Sequence, residues 1–199
     1  FREVKTFYFD EQRCDIGSEY ILKTQQNEII INRPLWDVIY KYSDGNVSAD
    51  RRLEYPRSKM DYSLIDWQHA DSYVDMMEQS PDKFAFISYN ETNNYEYYRF
   101  NRGLWDASVF ICKKNNKYRS GYVIVNEEAI NNIGDYKGTY NNYFINLYNP
   151  GFHNYDIRDA IIEYNKPHLS DDDVKKLQEL SEDDNPLIIV YSLKDIPDE

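Results

Sequence analysis

Short apolar segments, each followed by a polar turn, set the pattern of the first part of the chain. Four of them occupy residues 19–23, 28–32, 36–42 and 47–55. Segments of this length that are rich in Ile, Val and Tyr are typical of β-strands. Asp44-Gly45 lies between the last two, and this pair tolerates the positive φ angles of a tight hairpin turn. The pattern therefore predicts four antiparallel strands in succession, the last of which ends at Pro56.

The same plan recurs farther along the chain. The segments of this second group are 72–78, 83–89, 95–100 and 107–113. The second strands of the two groups match at Glu28 and Lys83, and the third strands match at Asp37 and Tyr95. Four short strands that repeat about every 40–60 residues are typical of β-propeller blades. A β-sandwich, which also has many short strands, is the alternative interpretation.

The last third of the chain departs from this plan. Segments 122–125 and 142–148 are typical of strands, whereas the apolar residues of 156–164 lie at helical spacing. A second helix is predicted to begin at Ser170, because a serine N-cap and three early aspartates stabilise the free N–H groups there. Its apolar stripe is Val174, Leu177 and Leu180, and residues 187–193 form a final strand.

These patterns predict a mainly β fold. It consists of antiparallel four-stranded blades of a partial β-propeller, with two short helices near the C-terminus. A length of 199 residues fits a single domain that covers residues 1–199.

Composition narrows the classes of partner. Hydrophobic residues make up 41% of the chain and aromatic residues 16%, with 20 Tyr, so the chain can build a packed core. The formal net charge is −12. Such a charge repels phosphate backbones and argues against a nucleic-acid partner. It suits a basic protein partner, or it serves only to keep the chain soluble.

The cellular setting is only partly encoded in the residues. Cys14 and Cys112 lie far apart, so they could form a disulfide or remain buried thiols. No apolar run approaches the ~20 residues that span a bilayer, and no signal peptide is present. The chain begins with Phe1 just before a segment, 4–9, that is typical of a strand, so we expect upstream sequence to be missing.

Several segments resemble one known family, the Bacteroidetes-type six-bladed β-propeller proteins. Segment 27–40 resembles a strand–turn element of these proteins, and the most specific similarity is to their C-terminal helix and closing strand. Glu127 departs from the pattern, because the family's strand usually ends in Asn-Asp. The similar segments are 27–40, 53–56, 83–89, 121–127, 177–180 and 183–194.

The resemblance implies that this chain is the C-terminal part, about three blades, of a six-bladed propeller. It also implies a location in the bacterial cell envelope, in the periplasm or as an outer-membrane lipoprotein. It implies no reaction, since the family as a whole has no established activity. An incomplete propeller leaves strand edges and apolar faces uncovered. We therefore expect missing blades, a second copy or a partner to cover them.

Candidate ligand-binding residues fall in two places. Trp67 and His69 lie between the two strand groups, where a ring, an imidazole and the nearby Asp71 could bind a sugar or peptide, or transfer protons. Asn126 and Glu127 end a predicted strand, so their side chains could face an opening. Ordinary loop residues are the alternative interpretation in both places.

Two further patterns have structural alternatives. Trp36 and Trp105, each in a Leu-Trp-Asp triplet, could stack on carbohydrate with Trp67 or could repeat a structural element. The acidic runs 171–173 and 182–184 could attract Ca²⁺, but they lack the spacing and central glycine of an EF-hand loop, and helix capping explains them.

Metal and catalytic residues are not predicted. The three histidines, His69, His153 and His168, are not at metal-ligand spacing. No motif for a nucleotide, a metalloprotease or a serine nucleophile occurs. The sequence therefore predicts no cofactor and assigns no catalytic residue.

These observations predict a non-enzymatic binding or scaffold module of a cell-envelope β-propeller protein, with a protein, peptide or glycan as ligand. A propeller-type hydrolase or lyase is an alternative that needs histidines and carboxylates to converge on a central channel. An acidic inhibitor or immunity-type protein that binds a basic toxin is another. Membrane association is expected only through a lipid anchor in missing upstream sequence.

Overall fold

The computed structural model describes residues 20–23, 28–54, 59–66, 69, 71–122, 138–148, 158–159, 162–163, 169–181 and 183–193. The chain divides into two compact units. Unit 1 consists of Phe1–Tyr89 and Phe100–Leu104, and unit 2 consists of Asn90–Arg99 and Trp105–Glu199.

The first sheet is the four-strand group that the sequence predicts. Its strands, in sheet order, are β1 (Tyr20–Lys23), β2 (Ile29–Asn32), β3 (Val38–Ser43) and β4 (Asn46–Arg52). Each neighbouring pair is antiparallel. Asp44 and Gly45, with φ angles of 49° and 81°, join β3 to β4. The predicted hairpin is confirmed, because a type I′ turn needs positive φ at both central residues.

The second sheet also has four strands in chain order, but they are not the four that the sequence predicts. They are β5 (Phe84–Glu91), β6 (Tyr95–Arg102), β7 (Trp105–Cys112) and β8 (Tyr118–Tyr122). The predicted first strand, 72–78, is wrong, because these residues belong to helix α1 (Asp71–Gln79). The match of Lys83 with Glu28 and of Tyr95 with Asp37 is therefore wrong by one strand.

Helix α1 forms because its apolar residues follow a helical period. Tyr73, Met76 and Met77 are buried, at the i, i+3 and i+4 positions that share one helix face. Val74 and Asp75 are exposed. Val74 is the one β-branched residue in the helix, so strand propensity is weak here as well.

The third sheet has the order β11-β10-β9. Its strands are β9 (Gly138–Tyr140), β10 (Tyr143–Tyr148) and β11 (Leu187–Ser192). β10 and β11 confirm the predicted strands at 142–148 and 187–193, whereas β9 has no counterpart among the predictions. Tyr122 ends β8, and residues 123–125 of that predicted strand lie outside the described residues, as does segment 4–9.

Helix α2 (Asp171–Glu179) begins after Ser170, as predicted. The Asp173 N–H donates to Ser170 Oγ, and the Ser170 N–H donates to an Asp173 carboxylate oxygen, each at 3.2 Å. This reciprocal pair is a capping box. Leu177 is buried and Val174 and Leu180 are half-buried, which confirms the apolar stripe. In the other predicted helix, the described residues 158–159 and 162–163 are helical.

The core of unit 1 combines α1 with residues of the turns and strands around it. Its buried members are Leu35, Met60, Ile65, Tyr73, Met76, Met77 and Ala85. A buried side-chain amide also joins β2 to β5 by hydrogen bonds. The Asn32 side chain donates to the Tyr89 carbonyl at 3.2 Å and accepts from the Tyr89 N–H at 3.0 Å. The amide thus satisfies two backbone groups that would otherwise be costly to bury.

The core of unit 2 is built on aromatic rings. The Tyr97 ring lies 4.7 Å from that of Phe110 and 6.0 Å from that of Phe144, between centroids. Tyr95, Cys112 and Leu193 complete the cluster. The Tyr97 hydroxyl is 3.1 Å from Ser108 Oγ, so its polar end is satisfied as the ring is buried.

The fold is therefore mainly β, with antiparallel sheets, and this part of the prediction is confirmed. None of the three sheets formed by the described residues closes on itself. Their arrangement as propeller blades stays a prediction, as does the single domain. In the part of the chain that the structure describes, no helix is long and apolar enough to cross a membrane.

Candidate binding surface

One face of the third sheet carries a row of outward-facing apolar side chains. In β10, Tyr143 lies opposite Tyr140 and Ser192, Ile145 lies opposite Gly138 and Val190, and Leu147 lies opposite Ile188. Residues that are directly opposite in an antiparallel pair point to the same face. The register thus defines a surface, here called the apolar face: Gly138, Tyr140, Tyr143, Ile145, Leu147, Ile188, Val190 and Ser192.

The apolar face is exposed and uncharged. Five of the nine large apolar side chains that are exposed in the described part of the chain lie on it. Their exposed fractions range from 43% for Tyr143 and Leu147 to 68% for Ile188. None of its eight positions is charged, although the chain carries a net charge of −12. Contiguous apolar surface of this kind typically marks an interaction site.

The opposite side of the same sheet is anchored in the core of unit 2. Phe144 is fully buried, and its ring packs edge-on against Phe110 at 5.9 Å. Asn146 is buried beside it, at 3% exposed. The alternation of buried and exposed residues in β10 is that of a strand with one face in the core and one outside. The packed side holds the apolar face in place.

The hairpin between β9 and β10 is also held by a neighbouring loop. Asn141 has a φ angle of 55°, a left-handed conformation that asparagine adopts more readily than most residues. Its carbonyl accepts a hydrogen bond of 2.9 Å from the Asn93 N–H. This contact fixes the turn that positions Tyr140 and Tyr143.

His69 lies in an exposed turn before α1. Its Nδ1 is 2.8 Å from an Asp66 carboxylate oxygen, with the two side chains 74% and 59% exposed. The Asp66 N–H donates to Ser72 Oγ at 2.7 Å, and the His69 N–H donates to the Asp66 carbonyl at 2.9 Å. These contacts link residue 66 to residues 69 and 72, and a contact between two exposed side chains adds little stability. A binding role for His69 stays a prediction.

The other candidate residues of the sequence analysis lie outside the described part of the chain. They are Trp67, Asn126 and Glu127, together with His153 and His168. Cys112 is a buried free thiol in the core of unit 2, which is the second of the two alternatives, and Cys14 lies outside the described residues.

The two Leu-Trp-Asp triplets lie where the second strand of each sheet leads to the third: residues 35–37 precede β3, whereas Trp105 and Asp106 already belong to β7. Their rings also differ. Trp36 is only 7% exposed, with the Arg33 guanidinium 5.3 Å from its centroid and the Tyr40 ring edge-on at 5.8 Å. Trp105 is 60% exposed. A carbohydrate platform that includes Trp36 is excluded by burial, whereas Trp105 presents its ring to solvent.

In both acidic runs an aspartate is held by a nearby serine, Asp173 in the helix cap and Asp184 in the turn after α2. The Ser170 hydroxyl, and after it the Ser170 N–H, holds the pKa of Asp173 below its ordinary value. The Ser181 N–H, at 2.7 Å, and then its hydroxyl lower the pKa of Asp184 in the same way. Within the described ranges, no group of three or more His, Cys, Asp and Glu residues is placed to hold a metal ion.

The apolar face was not among the predicted sites, for a physical reason. β10 and β11 are apolar at nearly every position, so alternation does not reveal which side faces solvent. β9, which adds Tyr140, has three residues and gives almost no periodic signal. Only the pairing register distinguishes the two faces.

Comparison with known proteins yields a likeness of fold. No family model and no curated protein matches the chain. The chain is similar to a solved structure described as a "Putative exported protein" from Bacteroides fragilis NCTC 9343, with 12% sequence identity and a TM-score of 0.54. The match covers 87% of this chain and 49% of that one. The chain thus shares a fold with a protein of about twice its length.

Proposed function

We propose that this chain is a non-enzymatic binding or scaffold module of a β-propeller-type protein that works in the cell envelope. The observation that carries the proposal is the apolar face of the third sheet. Its exposed Tyr, Ile, Leu and Val side chains offer packing surface and two phenolic hydroxyl groups, which is the chemistry of interfaces. It holds no carboxylate, imidazole or thiol that would serve as acid, base or nucleophile.

One observation supports the propeller part of the proposal. The first and second sheets each have four strands in chain order, as propeller blades do. The description of the fold neighbour as exported supports the envelope setting.

The binding role is tested with Nile red, an uncharged dye whose fluorescence rises on apolar surfaces. The chain is kept below about 0.1 µM, where most chains are monomeric even at a dissociation constant of about 1 µM. We expect the dye to bind the folded chain and to bind less after Ile188→Lys or Val190→Lys. Tyr118→Lys is the matched control, since Tyr118 is an exposed aromatic residue, at 69%, on a strand of another sheet. Absence of dye binding to the folded chain would overturn the proposal.

The propeller and the setting have separate tests. A crystal structure should place the three sheets around one axis, and two sheets stacked as a sandwich would contradict a propeller. Cell fractionation with an antibody against the chain should find the native protein with the envelope. Recovery in the cytosolic fraction alone would contradict the setting.

A further inference from the structure

The apolar face has dimensions that can be compared with those of protein interfaces. Two six-residue strands and the three-residue β9, at about 4.8 Å spacing and about 3.4 Å rise, give a footprint of about 240 Å². Accessible area exceeds this flat footprint, and both partners contribute. Two such faces would bury about 1,000 Å² in total, near the lower limit of specific interfaces. The face is thus large enough for a weak association and too small for a permanent one.

The charge distribution indicates which molecule covers the apolar face. Every copy of the chain carries a net charge of −12, so two copies repel each other over most of their surface. The apolar face is uncharged at all eight positions, and it is where two acidic chains can approach with the least repulsion. A basic partner would be drawn to the carboxylates of the rest of the surface and would gain no ion pair on this face.

Symmetry makes the face self-complementary. A two-fold axis brings the same patch of both copies together, so every contact occurs twice. Two sheets that pack face to face lie about 10 Å apart, with side chains interdigitating. Tyr143 and Leu147 on the central strand would then meet the partner's residues at the middle of the interface. Tyr140, Ile188 and Val190 on the flanking strands would close it.

We propose that a second copy of this chain covers the apolar face, in a symmetric dimer formed by face-to-face packing of the two third sheets. This inference rests on the proposed function, because it names the partner of the same surface. The small area predicts a dissociation constant of about 1–100 µM. Added salt screens the mutual repulsion of the two acidic chains, so it strengthens the dimer.

Sedimentation velocity of the 199-residue chain from about 1 to 300 µM, at 50 mM and 500 mM NaCl, tests the proposal. We expect a shift from monomer to dimer that moves to lower concentration at high salt. Val190→Lys should weaken the dimer by about tenfold or more, since each of its two copies places a charge in the interface. Tyr118→Lys adds the same charge elsewhere and should leave the dissociation constant within about twofold.

A second variant guards against misfolding. Leu147→Thr keeps the strand propensity and adds no charge, so it should weaken the dimer while the circular dichroism spectrum stays unchanged. A chain that remains monomeric at all concentrations overturns the dimer, as does a dimer that tolerates Val190→Lys. Nile red distinguishes the two proposals. If the dye binds a chain that stays monomeric at every concentration, the dimer is overturned and the binding role is retained.

Discussion

Two identical triplets, Leu35-Trp36-Asp37 and Leu104-Trp105-Asp106, follow the second strand of two four-stranded sheets, yet their backbone conformations differ. The connection from the second strand to the third is here called the first corner in the first sheet and the second corner in the second sheet. In the first corner, Leu35 takes the left-handed conformation, with φ of 67°, and Trp36 follows it in the turn. In the second corner, Gly103 takes that conformation, with φ of 52°, so the triplet is shifted by one residue. Trp105 lies two residues after the left-handed residue, as Asp37 does in the first corner, and it is the first residue of β7, whereas β3 begins only at Val38.

The one-residue shift gives Trp105 a different position from Trp36, but the shift alone does not decide burial, because Leu104, at the place of Trp36, is 54% exposed. Side chains alternate between the two faces of a strand, so a shift by one position redirects each of them. In the first corner, the Leu35 N–H donates to the Phe86 carbonyl at 2.7 Å and the Asp37 carbonyl accepts from the Leu53 N–H at 2.8 Å. Trp36 is held inside by these contacts. A repeated motif thus preserves a position in the fold without preserving an environment.

The largest expected effect tests this difference directly. Trp36→Ala should lower the free energy of unfolding by about 3–5 kcal/mol, because it removes a buried ring and leaves a cavity. Trp105→Ala should cost less than about 1 kcal/mol, since its ring is mostly in water. Urea unfolding followed by circular dichroism measures both. Equal losses would mean that the two corners do not differ in burial.

The next largest effect is expected at the buried side-chain amide of Asn32, which lies just before the first corner. Asn32→Ala removes the amide that pairs with the Tyr89 N–H and carbonyl, and should lower the free energy of unfolding by about 2–3 kcal/mol. Asn46→Ala is the control, because Asn46 is exposed in the β3–β4 hairpin. It should change the free energy of unfolding by less than about 0.5 kcal/mol. If both substitutions cost the same, the buried amide is not what holds Tyr89 in place.

The third largest effect on stability is expected at Gly103, the left-handed residue of the second corner. Gly103→Ala should cost about 1–3 kcal/mol, because the positive φ is unfavourable and the new Cβ would lie 2.9 Å from Pro81 Cα. Gly45→Ala, at φ of 81° with nothing within 4 Å of the new Cβ, should cost about 1 kcal/mol. Thermal unfolding of both variants compares them. A smaller loss at Gly103 than at Gly45 would contradict the close approach to Pro81.

A smaller effect is expected from the ion pair between Arg99 and Asp106, the residue after Trp105. Arg99 donates to both Asp106 carboxylate oxygens, at 3.2 Å and 2.9 Å, with side chains about one fifth exposed. A double-mutant cycle with Arg99→Ala and Asp106→Ala should give a coupling of about 0.5–1 kcal/mol. The Lys175–Glu179 pair, 3.8 Å apart and about two thirds exposed, is the control and should give about 0.3 kcal/mol. A coupling no larger than this control would show that the forked geometry adds nothing.

The smallest effect lies outside both corners, at exposed Asp173. Its pKa is lowered in the folded chain, so its stabilising effect is present above the ordinary pKa near 4. That effect is lost as the pH falls through the lowered folded value. In an NMR titration of the carboxyl carbons, Ser170→Ala should move the pKa of Asp173 upward, whereas the pKa of Asp184, which Ser181 lowers, should stay unchanged as the control. An unmoved Asp173 would mean that Ser170 is not the cause.

Local features of the fold could be predicted from the sequence because few neighbouring residues determine them. Asp44-Gly45 needs only its own conformational freedom to make the hairpin, and Ser170 needs only the next turn to cap α2. The strand predicted at 72–78 was wrong because its short length is typical of a strand, whereas the spacing of Tyr73, Met76 and Met77 follows the helical period. Because of that error, strands of the second sheet were matched with the wrong strands of the first. The Leu-Trp-Asp triplets mark the correct match, since each follows the second strand of its sheet.

The sequence by itself determined where most strands and the α2 cap lie, and it showed an acidic, aromatic chain built from antiparallel strands. The tertiary structure alone decided that Trp36 is buried and Trp105 exposed, and which side of β10 and β11 faces outward. The reason is the range of the interactions. Turns and caps depend on residues a few positions apart, whereas burial depends on which distant segment packs against each face.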